Sequence, residues 1–189
     1  MKFTVSLIYG SVRENRMGIR AAHFLKTQIE DRGIDVQLID PVEYPLPLLD
    51  KMYKEYKRED APENMRLLSD LFVASDGFVL LSGEYNHSVP PALKNLLDHF
   101  QKEYHYKPSA IATYSAGSFG GVRAAVHLRA IAGELGMPSI PTMLPFPKVG
   151  VNFDKDGHTD LEAIFNGTKK FLDEFGWYLE AFKKQREKP

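Results

Sequence analysis

The sequence predicts an α/β fold in which helices cover both faces of a five-stranded parallel sheet. Strand-like segments alternate with helix-like segments along the chain, and the strand-like segments are largely apolar, as expected for strands that are buried on both faces. The length of 189 residues suits a single domain, which we expect to span residues 1–189.

The first part of the chain predicts two strands, one helix and a long connection. Residues 3–9 are strand-like, residues 17–32 carry apolar side chains at helical spacing, and residues 34–39 alternate apolar and polar positions. Residues 41–61 are polar and rich in proline. Because this connection exceeds the usual length, we expect it to serve a function or to carry a short helix.

The rest of the chain continues the alternation. Further strands are predicted at residues 77–81, 109–114 and 137–143, the last of them interrupted by prolines. Further helices are predicted at residues 63–74, 90–100, 122–135 and 160–185. Five strands and five helices are typical of a flavodoxin-like doubly wound domain with the strand order 2-1-3-4-5.

The composition excludes several classes of function. The 24 basic residues are balanced by 25 acidic ones, so no positive excess is available to neutralise a nucleic acid, and no nucleic-acid partner is expected. The absence of cysteine excludes disulfides, thiol nucleophiles and thiolate metal sites. The six histidines show no zinc spacing, so no metal is expected. The longest apolar runs are far too short to span a membrane and no leader is apparent, so we expect a soluble cytoplasmic protein with no membrane partner.

Three loops leave the carboxyl ends of the strands beside the point where the strand order reverses, which is where ligands bind in such sheets. They comprise residues 10–18, 82–89 and 115–121. The first loop leads into a helix N-terminus, where backbone N–H groups and the helix dipole favour an anion. The Ser11 hydroxyl and the guanidinium groups of Arg13 and Arg16 are suited to bind a phosphate. The Walker A ending is missing, so a nucleoside triphosphate is not expected, and a polar turn capped by Ser11 remains the alternative.

The second loop is polar, carries one aromatic side chain and precedes a helix that begins with two prolines. Its backbone polar groups and Tyr85 are suited to border a planar heterocycle. Glu84 and His87 show the spacing of a Glu-x-x-His metal pair, but a single copy in a loop does not predict a metal site. A loop whose Ser88 caps the following helix is the alternative.

The third loop contains three glycines, which let a backbone approach a ligand closely. Its segment A-G-S-F-G, residues 116–120, lacks one glycine of the G-x-S-x-G nucleophile elbow. A small serine hydrolase that uses Ser118 with Asp156 and His158 is therefore an alternative hypothesis, although it leaves the arginines of the first loop without a role. A glycine-rich connection without chemistry is a further alternative.

Together the three segments resemble the NADPH-dependent FMN reductase family, a flavodoxin-like family that includes quinone, azo-dye and chromate reductases. The matching segments are G-S-V-R at residues 10–13, E-Y-N-H-S-V-P-P-A-L-K-N-L-L-D at residues 84–98 and S-A-G-S-F-G-G at residues 115–121. The middle segment is the most specific of the three. The resemblance extends over residues 4–135, and beyond them only the general architecture agrees.

The resemblance implies bound FMN, with its phosphate held by Ser11, Arg13 and the backbone of residues 16–18. It implies that residues 84–86 border the isoalloxazine and that residues of the third loop line its other side. The cofactor-binding residues so expected are Ser11, Arg13, Arg16, Met17, Gly18, Glu84, Tyr85, Asn86, Ser115, Gly117, Ser118 and Gly120. No side chain is expected to act as a catalytic acid or base, because the flavin carries the chemistry.

Two positions depart from the family pattern. The family usually has proline before its Glu-Tyr-Asn segment, where this chain has Gly83. A small hydroxyl residue often lies near the helix start of the first loop, where this chain has Gly18. Neither change removes a group that cofactor binding requires, because backbone donors supply most of the contacts.

The activity implied is ping-pong transfer of a hydride from NAD(P)H through flavin N5 to a second acceptor, which could be a flavin, quinone, azo dye, chromate or ferric chelate. A non-enzymatic flavin carrier or redox sensor is the alternative within flavin proteins. The resemblance also implies a homodimer or homotetramer. Residues 92–104, with Tyr104 and Tyr106, are candidates for its interface unless these aromatic side chains pack inside the subunit.

Overall fold

The computed structural model describes residues 2–188 and contains one sheet of five parallel strands in the order β2-β1-β3-β4-β5. The strands are β1 (Thr4–Tyr9), β2 (Asp35–Ile39), β3 (Gly77–Ser82), β4 (Ser109–Tyr114) and β5 (Ser139–Phe146). The predicted fold class and strand order are confirmed. In this order β2 lies on one side of β1, and the next strand in sequence, β3, lies on the other. The connections after β1 and β3 therefore leave on opposite faces of the sheet, and the carboxyl ends of these strands border a crevice.

Within residues 2–188, six α-helices surround the sheet. They are α1 (Gly18–Glu30), α2 (Glu63–Ala74), α3 (Pro91–Asp98), α4 (Val122–Glu134), α5 (Val149–Asn152) and α6 (Glu162–Arg186). Helices α1 and α6 share one apolar core with one face of the sheet, and α2, α3 and α4 share a second core with the other face. Alternate residues of β3 enter the two cores, Val79 and Leu81 the first, Phe78 and Leu80 the second, which explains why residues 78–81 are all apolar.

The strand β5 was predicted at residues 137–143 and is observed at Ser139–Phe146. The strand continues through its prolines because it lies at the edge of the sheet, where proline is tolerated. Its pairing with β4 shifts register between Ser109, which faces Ser139, and Ile111, which faces Met143. This irregularity accommodates Pro141 without the ladder hydrogen bond that proline cannot donate.

Other differences are local. The connection over residues 41–61 carries two short 3₁₀ turns, Tyr53–Glu55 and Arg58–Asp60, in agreement with the short helix expected there. Helix α3 ends at Asp98, and a separate 3₁₀ turn follows at Lys102–Tyr104. The short helix α5 was not predicted from the sequence. Among the helices of residues 2–188, none combines the length and the apolar content needed to cross a membrane.

Candidate functional site

A cavity of about 450 Å³ lies at the carboxyl ends of β1, β3 and β4, where the three predicted loops meet. Its lining consists of Ser11, Arg13, Asn15, Arg16, Met17, Gly18, Gly83, Glu84, Tyr85, Tyr114, Ser115, Ala116 and Val149. Most of the residues expected to bind a cofactor are therefore brought together. Asn86, Gly117, Ser118 and Gly120 are not part of this lining.

A larger cavity of about 720 Å³ lies against the C-terminal end of α6. It is lined by Tyr106, Ala181, Phe182, Gln185 and Arg186. The Arg186 guanidinium is already engaged by the Tyr106 carbonyl at 2.9 Å and by Asp76, which precedes β3 at the amino end of this strand. This cavity lies away from the carboxyl ends of the strands, where ligands bind in such sheets, so we assign the functional site to the smaller cavity.

The two arginines of the first loop have different surroundings. The Arg16 guanidinium forms a two-point ion pair with Asp40, at 2.5 and 2.6 Å, and also donates to the Ser11 carbonyl at 3.0 Å. Burial disfavours the charge of Arg16, but the hydrogen bonds and the charge of Asp40 outweigh it and raise the pKa of Arg16. The phosphate-gripping fork expected at Arg16 is therefore occupied by Asp40, and Arg16 instead holds the first loop against the end of β2.

Arg13 is exposed, and within residues 2–188 its guanidinium has no hydrogen-bond or ion-pair partner. Its backbone N–H donates to the Ser11 hydroxyl at 3.4 Å. The following helix, α1, begins at Gly18 with no side-chain cap and with no acidic residue in its first turn. A free guanidinium, a hydroxyl and an uncapped helix N-terminus therefore face one side of the cavity, which suits an anion such as a phosphate.

The second loop reverses direction in a tight turn. Tyr85 and Ser88 exchange two backbone hydrogen bonds at 2.9 and 3.0 Å, and the two residues between them, Asn86 and His87, have positive φ values of 49° and 65°. Both positive φ values are typical of a type I′ turn. The exposed side chain of Asn86 lies at the tip of this turn, which is why it does not line the cavity.

Tyr85 lies at the base of that turn and contacts the first loop. Its hydroxyl is 3.3 Å from the Ser11 hydroxyl, so the ring spans one wall of the cavity. Ser88 does not cap α3: its hydroxyl bonds to His127 Nδ1 at 2.9 Å, and α3 has no side-chain cap. The helix-capping interpretation of this loop is therefore wrong.

Glu84 is bound to the start of α4. Its carboxylate accepts the Arg123 backbone N–H at 3.0 Å and the Arg123 guanidinium at 3.1 Å. Burial favours the neutral acid, but these hydrogen bonds outweigh it and hold the pKa of Glu84 below its ordinary value. The carboxylate thus positions the second loop on α4 and is not free to take up a proton near neutral pH.

The third loop closes on itself. The Ser115 hydroxyl donates to the Gly117 carbonyl and accepts the Gly120 N–H, both at 2.9 Å. The Gly117 carbonyl also accepts the backbone N–H of Lys148, and this contact orients the segment that begins α5. Gly117 is thereby left exposed with open space around it, and Gly120 is buried against Pro145, while Ser115 lines the cavity.

Ser118 lacks the surroundings of a catalytic serine. It is exposed, and its hydroxyl makes no hydrogen bond within the part of the chain that the structure describes. His158 pairs with Asp154 at 3.2 Å, not with Asp156 as the hydrolase hypothesis required. Because a nucleophilic serine needs a base within hydrogen-bonding reach, the site geometry favours the flavin interpretation over the hydrolase.

Tyr114 is a site residue that the sequence reasoning missed. It is the last residue of β4 and lines the cavity while only 8% exposed. Its ring stacks on Tyr9 with centroids 6.0 Å apart, and its hydroxyl lies 3.4 Å from that of Tyr9. Burial raises the pKa of the Tyr114 hydroxyl, so the phenol stays neutral. Its position at the carboxyl end of a central strand was the available signal.

Comparisons with known proteins identify the family to which the chain belongs. The family model described as NADPH-dependent FMN reductase matches residues 3–149. The chain is 29% identical to an NAD(P)H-dependent FMN reductase of Schizosaccharomyces pombe over 184 residues, which are 94% of this chain and 90% of that protein. It is 31% identical to a quinone reductase of Escherichia coli K12 over 134 residues, 69% of each chain.

Solved structures show the same architecture. FerB, a flavoenzyme NAD(P)H:(acceptor) oxidoreductase from Paracoccus denitrificans, superposes with a TM-score of 0.80 at 24% identity, covering 95% of this chain and 98% of that one. A flavodoxin from Pseudomonas aeruginosa superposes with a TM-score of 0.56 at 16% identity, covering 94% and 99%. The chain belongs to the NADPH-dependent FMN reductase family and is an oxidoreductase with FMN as its cofactor and NAD(P)H as its donor.

Proposed function

We propose that this protein transfers electrons from NAD(P)H to a small acceptor by a ping-pong mechanism, in which donor and acceptor use the same cavity in turn. The observation that carries the proposal is the arrangement of Arg13, Ser11 and the uncapped N-terminus of α1 on one side of the cavity at the topological switch point. Bound FMN supplies the hydride chemistry at its N5 atom.

The residues present fit this cofactor. Arg13, Ser11 and the backbone of residues 16–18 are suited to hold the phosphate, and Tyr85 is suited to border the isoalloxazine. Ser115 and the backbone of the third loop are suited to line the opposite side. Arg16 and Glu84 act as positioning residues, because their charged groups are taken by Asp40 and Arg123.

The cavity walls supply binding and orientation more than acid–base chemistry. Its one carboxylate, Glu84, is ionised and engaged with α4, and the hydroxyl of Tyr114 is neutral because its pKa is raised. Any proton that the reduced acceptor takes up therefore comes from solvent at the open face of the site. This arrangement suits acceptors that take a hydride or electron pair without protein-derived protons, with quinones first and flavins, azo dyes, chromate and ferric chelates as further candidates.

An anaerobic visible spectrum of the purified protein, reconstituted with FMN and then mixed with NADPH, tests this proposal. We expect flavin bands at about 370 and 450 nm that bleach on NADPH addition and recover when a quinone is added. Bands that neither NADPH nor NADH bleaches would indicate a flavin carrier or redox sensor instead. A protein that acquires no flavin bands contradicts the proposal, and Ser118→Ala would then test the hydrolase.

Initial rates test the ping-pong order. With the acceptor varied at several NADPH concentrations, double-reciprocal plots should be parallel. Intersecting lines would show that donor and acceptor bind together, which one shared cavity does not accommodate.

We further propose a cytoplasmic homodimer or homotetramer without a nucleic-acid or membrane partner, formed from a single FMN-binding domain of residues 1–189. Tyr104 takes no part in the interface, because it is fully buried in its own subunit, whereas Tyr106 is 75% exposed. Sedimentation equilibrium tests the assembly: the subunit mass is 21.4 kDa, and a species of that mass at micromolar concentration contradicts it.

A further inference from the structure

The ring of Tyr114 lies beneath the cavity against two glycines. A Cβ atom built on Gly18 would overlap the phenol ring, and one built on Gly83 would come within 3.1 Å of its Cζ and Oη atoms. A Cβ at Gly18 would lie closer to the ring Cζ than real Cβ atoms come to any neighbour, so the ring would have to move. The contact at Gly83 is milder and requires the ring to give by only a few tenths of an ångström. Both glycines therefore face the same aromatic ring.

The ring has little freedom to move away. It is stacked on Tyr9, which is fully buried at the end of β1, and the two hydroxyls lie 3.4 Å apart. On its other side Tyr114 reaches the cavity lining. A side chain at position 18 or 83 would therefore displace the ring towards the space that a ligand occupies.

We propose that Tyr114 is a positioning residue of the cofactor site, whose ring forms the floor of the cavity and whose placement requires glycine at position 18 and favours it at position 83. This inference rests on the proposed FMN binding. Gly18 begins α1 beside the proposed phosphate side of the cavity, so displacement of the ring changes the surface on which the cofactor rests. The three residues act as a unit, and substitutions among them are expected to be non-additive.

A double-mutant cycle tests the unit. FMN affinity is measured by quenching of flavin fluorescence for the wild type, Gly18→Ala, Tyr114→Ala and the double variant, with the midpoint of thermal unfolding of each. Gly18→Ala alone should weaken FMN binding by about tenfold or more and lower the midpoint, because the new methyl group overlaps the ring. In the Tyr114→Ala background the same change should alter affinity less than about threefold and should not lower the midpoint, since alanine favours a helix over glycine.

Two controls separate the effect of the Tyr114 ring on FMN affinity from a general loss of packing. Gly133→Ala, in helix α4 with open space around its Cβ, should leave FMN affinity unchanged. Tyr114→Phe keeps the ring and should bind FMN within about threefold of the wild type, whereas Tyr114→Ala should lose about tenfold. If Gly18→Ala does not fold, Gly83→Ala takes its place in the cycle, because its Cβ contact is milder.

The outcomes distinguish this inference from the proposed function. A wild-type protein that does not quench flavin fluorescence overturns FMN binding itself. A wild-type protein that binds FMN, together with Gly18→Ala and Tyr114→Ala effects that simply multiply, overturns only the role of Tyr114. An FMN affinity that is unchanged in Gly18→Ala also overturns the role of Tyr114.

Discussion

The carboxylate of Asp40 binds both ends of the Arg16 guanidinium, and this pair joins the loop after β1 to the residue that follows β2. The side chains of Arg16 and Asp40 are only 18% and 9% exposed. Asp40 also accepts the backbone N–H of Val42 at 3.0 Å, so the carboxylate orders both connections at once. The pair therefore leaves Arg13 as the cation of this loop that is available to an anionic ligand.

Asp40→Asn should lower the free energy of unfolding by about 2 kcal/mol, because it leaves the guanidinium of Arg16 half-buried without a counter-charge. Chemical denaturation at neutral pH measures this change. Glu30→Gln is the matched control: it removes the carboxylate of an exposed i, i+4 pair with Lys26 and should cost less than about 0.5 kcal/mol. Equal losses in the two variants would show that the Arg16–Asp40 pair is no more than a surface contact.

Arg13→Gln should weaken FMN binding by about tenfold, because one charge-assisted contact to the phosphate is lost. Riboflavin, which lacks the phosphate, should bind both proteins alike, and the salt dependence of FMN affinity should decrease in the variant. Fluorescence titrations with the two flavins measure this. Arg58→Gln, at an exposed arginine paired with Asp70, is the control. A similar loss of riboflavin affinity would place Arg13 at the ring instead of the phosphate.

The hydrogen bonds that the Glu84 carboxylate accepts from Arg123 at the start of α4 predict a pH dependence of stability. The folded-state pKa of Glu84 lies below its unfolded value of about 4.3, so its contribution is complete above that value and is lost as the pH falls through the folded pKa. Glu84→Gln should therefore cost about 1 kcal/mol at pH 7 and progressively less below about pH 4. Urea denaturation across this pH range measures the difference. Glu134→Gln, at an exposed residue of α4, should show no such trend.

Lys107 caps the C-terminal end of α2. Its buried Nζ atom donates to the carbonyls of Phe72, Val73 and Glu103 at 2.7 to 3.0 Å. Burial lowers the pKa of Lys107 to about 8, so the ammonium form still predominates at pH 7. Lys107→Met should destabilise the protein by about 2–3 kcal/mol, because three carbonyls lose their donor. Chemical denaturation measures the loss, and Lys170→Met, at an exposed position of α6, is the control. Equal unfolding midpoints for the two variants would contradict the capping role of Lys107.

Thr168 presents the opposite case. Its hydroxyl is buried in α6 and has no hydrogen-bond partner among the described residues. Thr168→Val should therefore raise the free energy of unfolding by up to about 1 kcal/mol. Ser109→Ala should lower it by about 1 kcal/mol, since the buried Ser109 hydroxyl donates to the Met137 carbonyl at 2.8 Å. Loss of stability in Thr168→Val would mean that its hydroxyl has a partner, such as a buried water.

The strand β5 shows where prediction along the chain was limited. Its prolines were treated as interruptions, although an edge strand has one side free of ladder hydrogen bonds and tolerates them. Whether a strand lies at the edge depends on the order of all strands in the sheet. Local pattern therefore located this strand but placed its end three residues too early.

The pattern of apolar and polar residues was sufficient for the order of the strands and of the helices other than α5, for the parallel sheet and for the three loops of the cavity, because periodicity and turn chemistry act over a few neighbouring residues. Tertiary structure alone decided which charges are free and which side chains share space. Arg13 and Arg16 look equivalent in the first loop, and only the end of β2, brought alongside by the sheet, supplies Asp40 to Arg16. The need for a small residue at positions 18 and 83 likewise comes from Tyr114, which is distant in the chain and whose ring packs against both glycines.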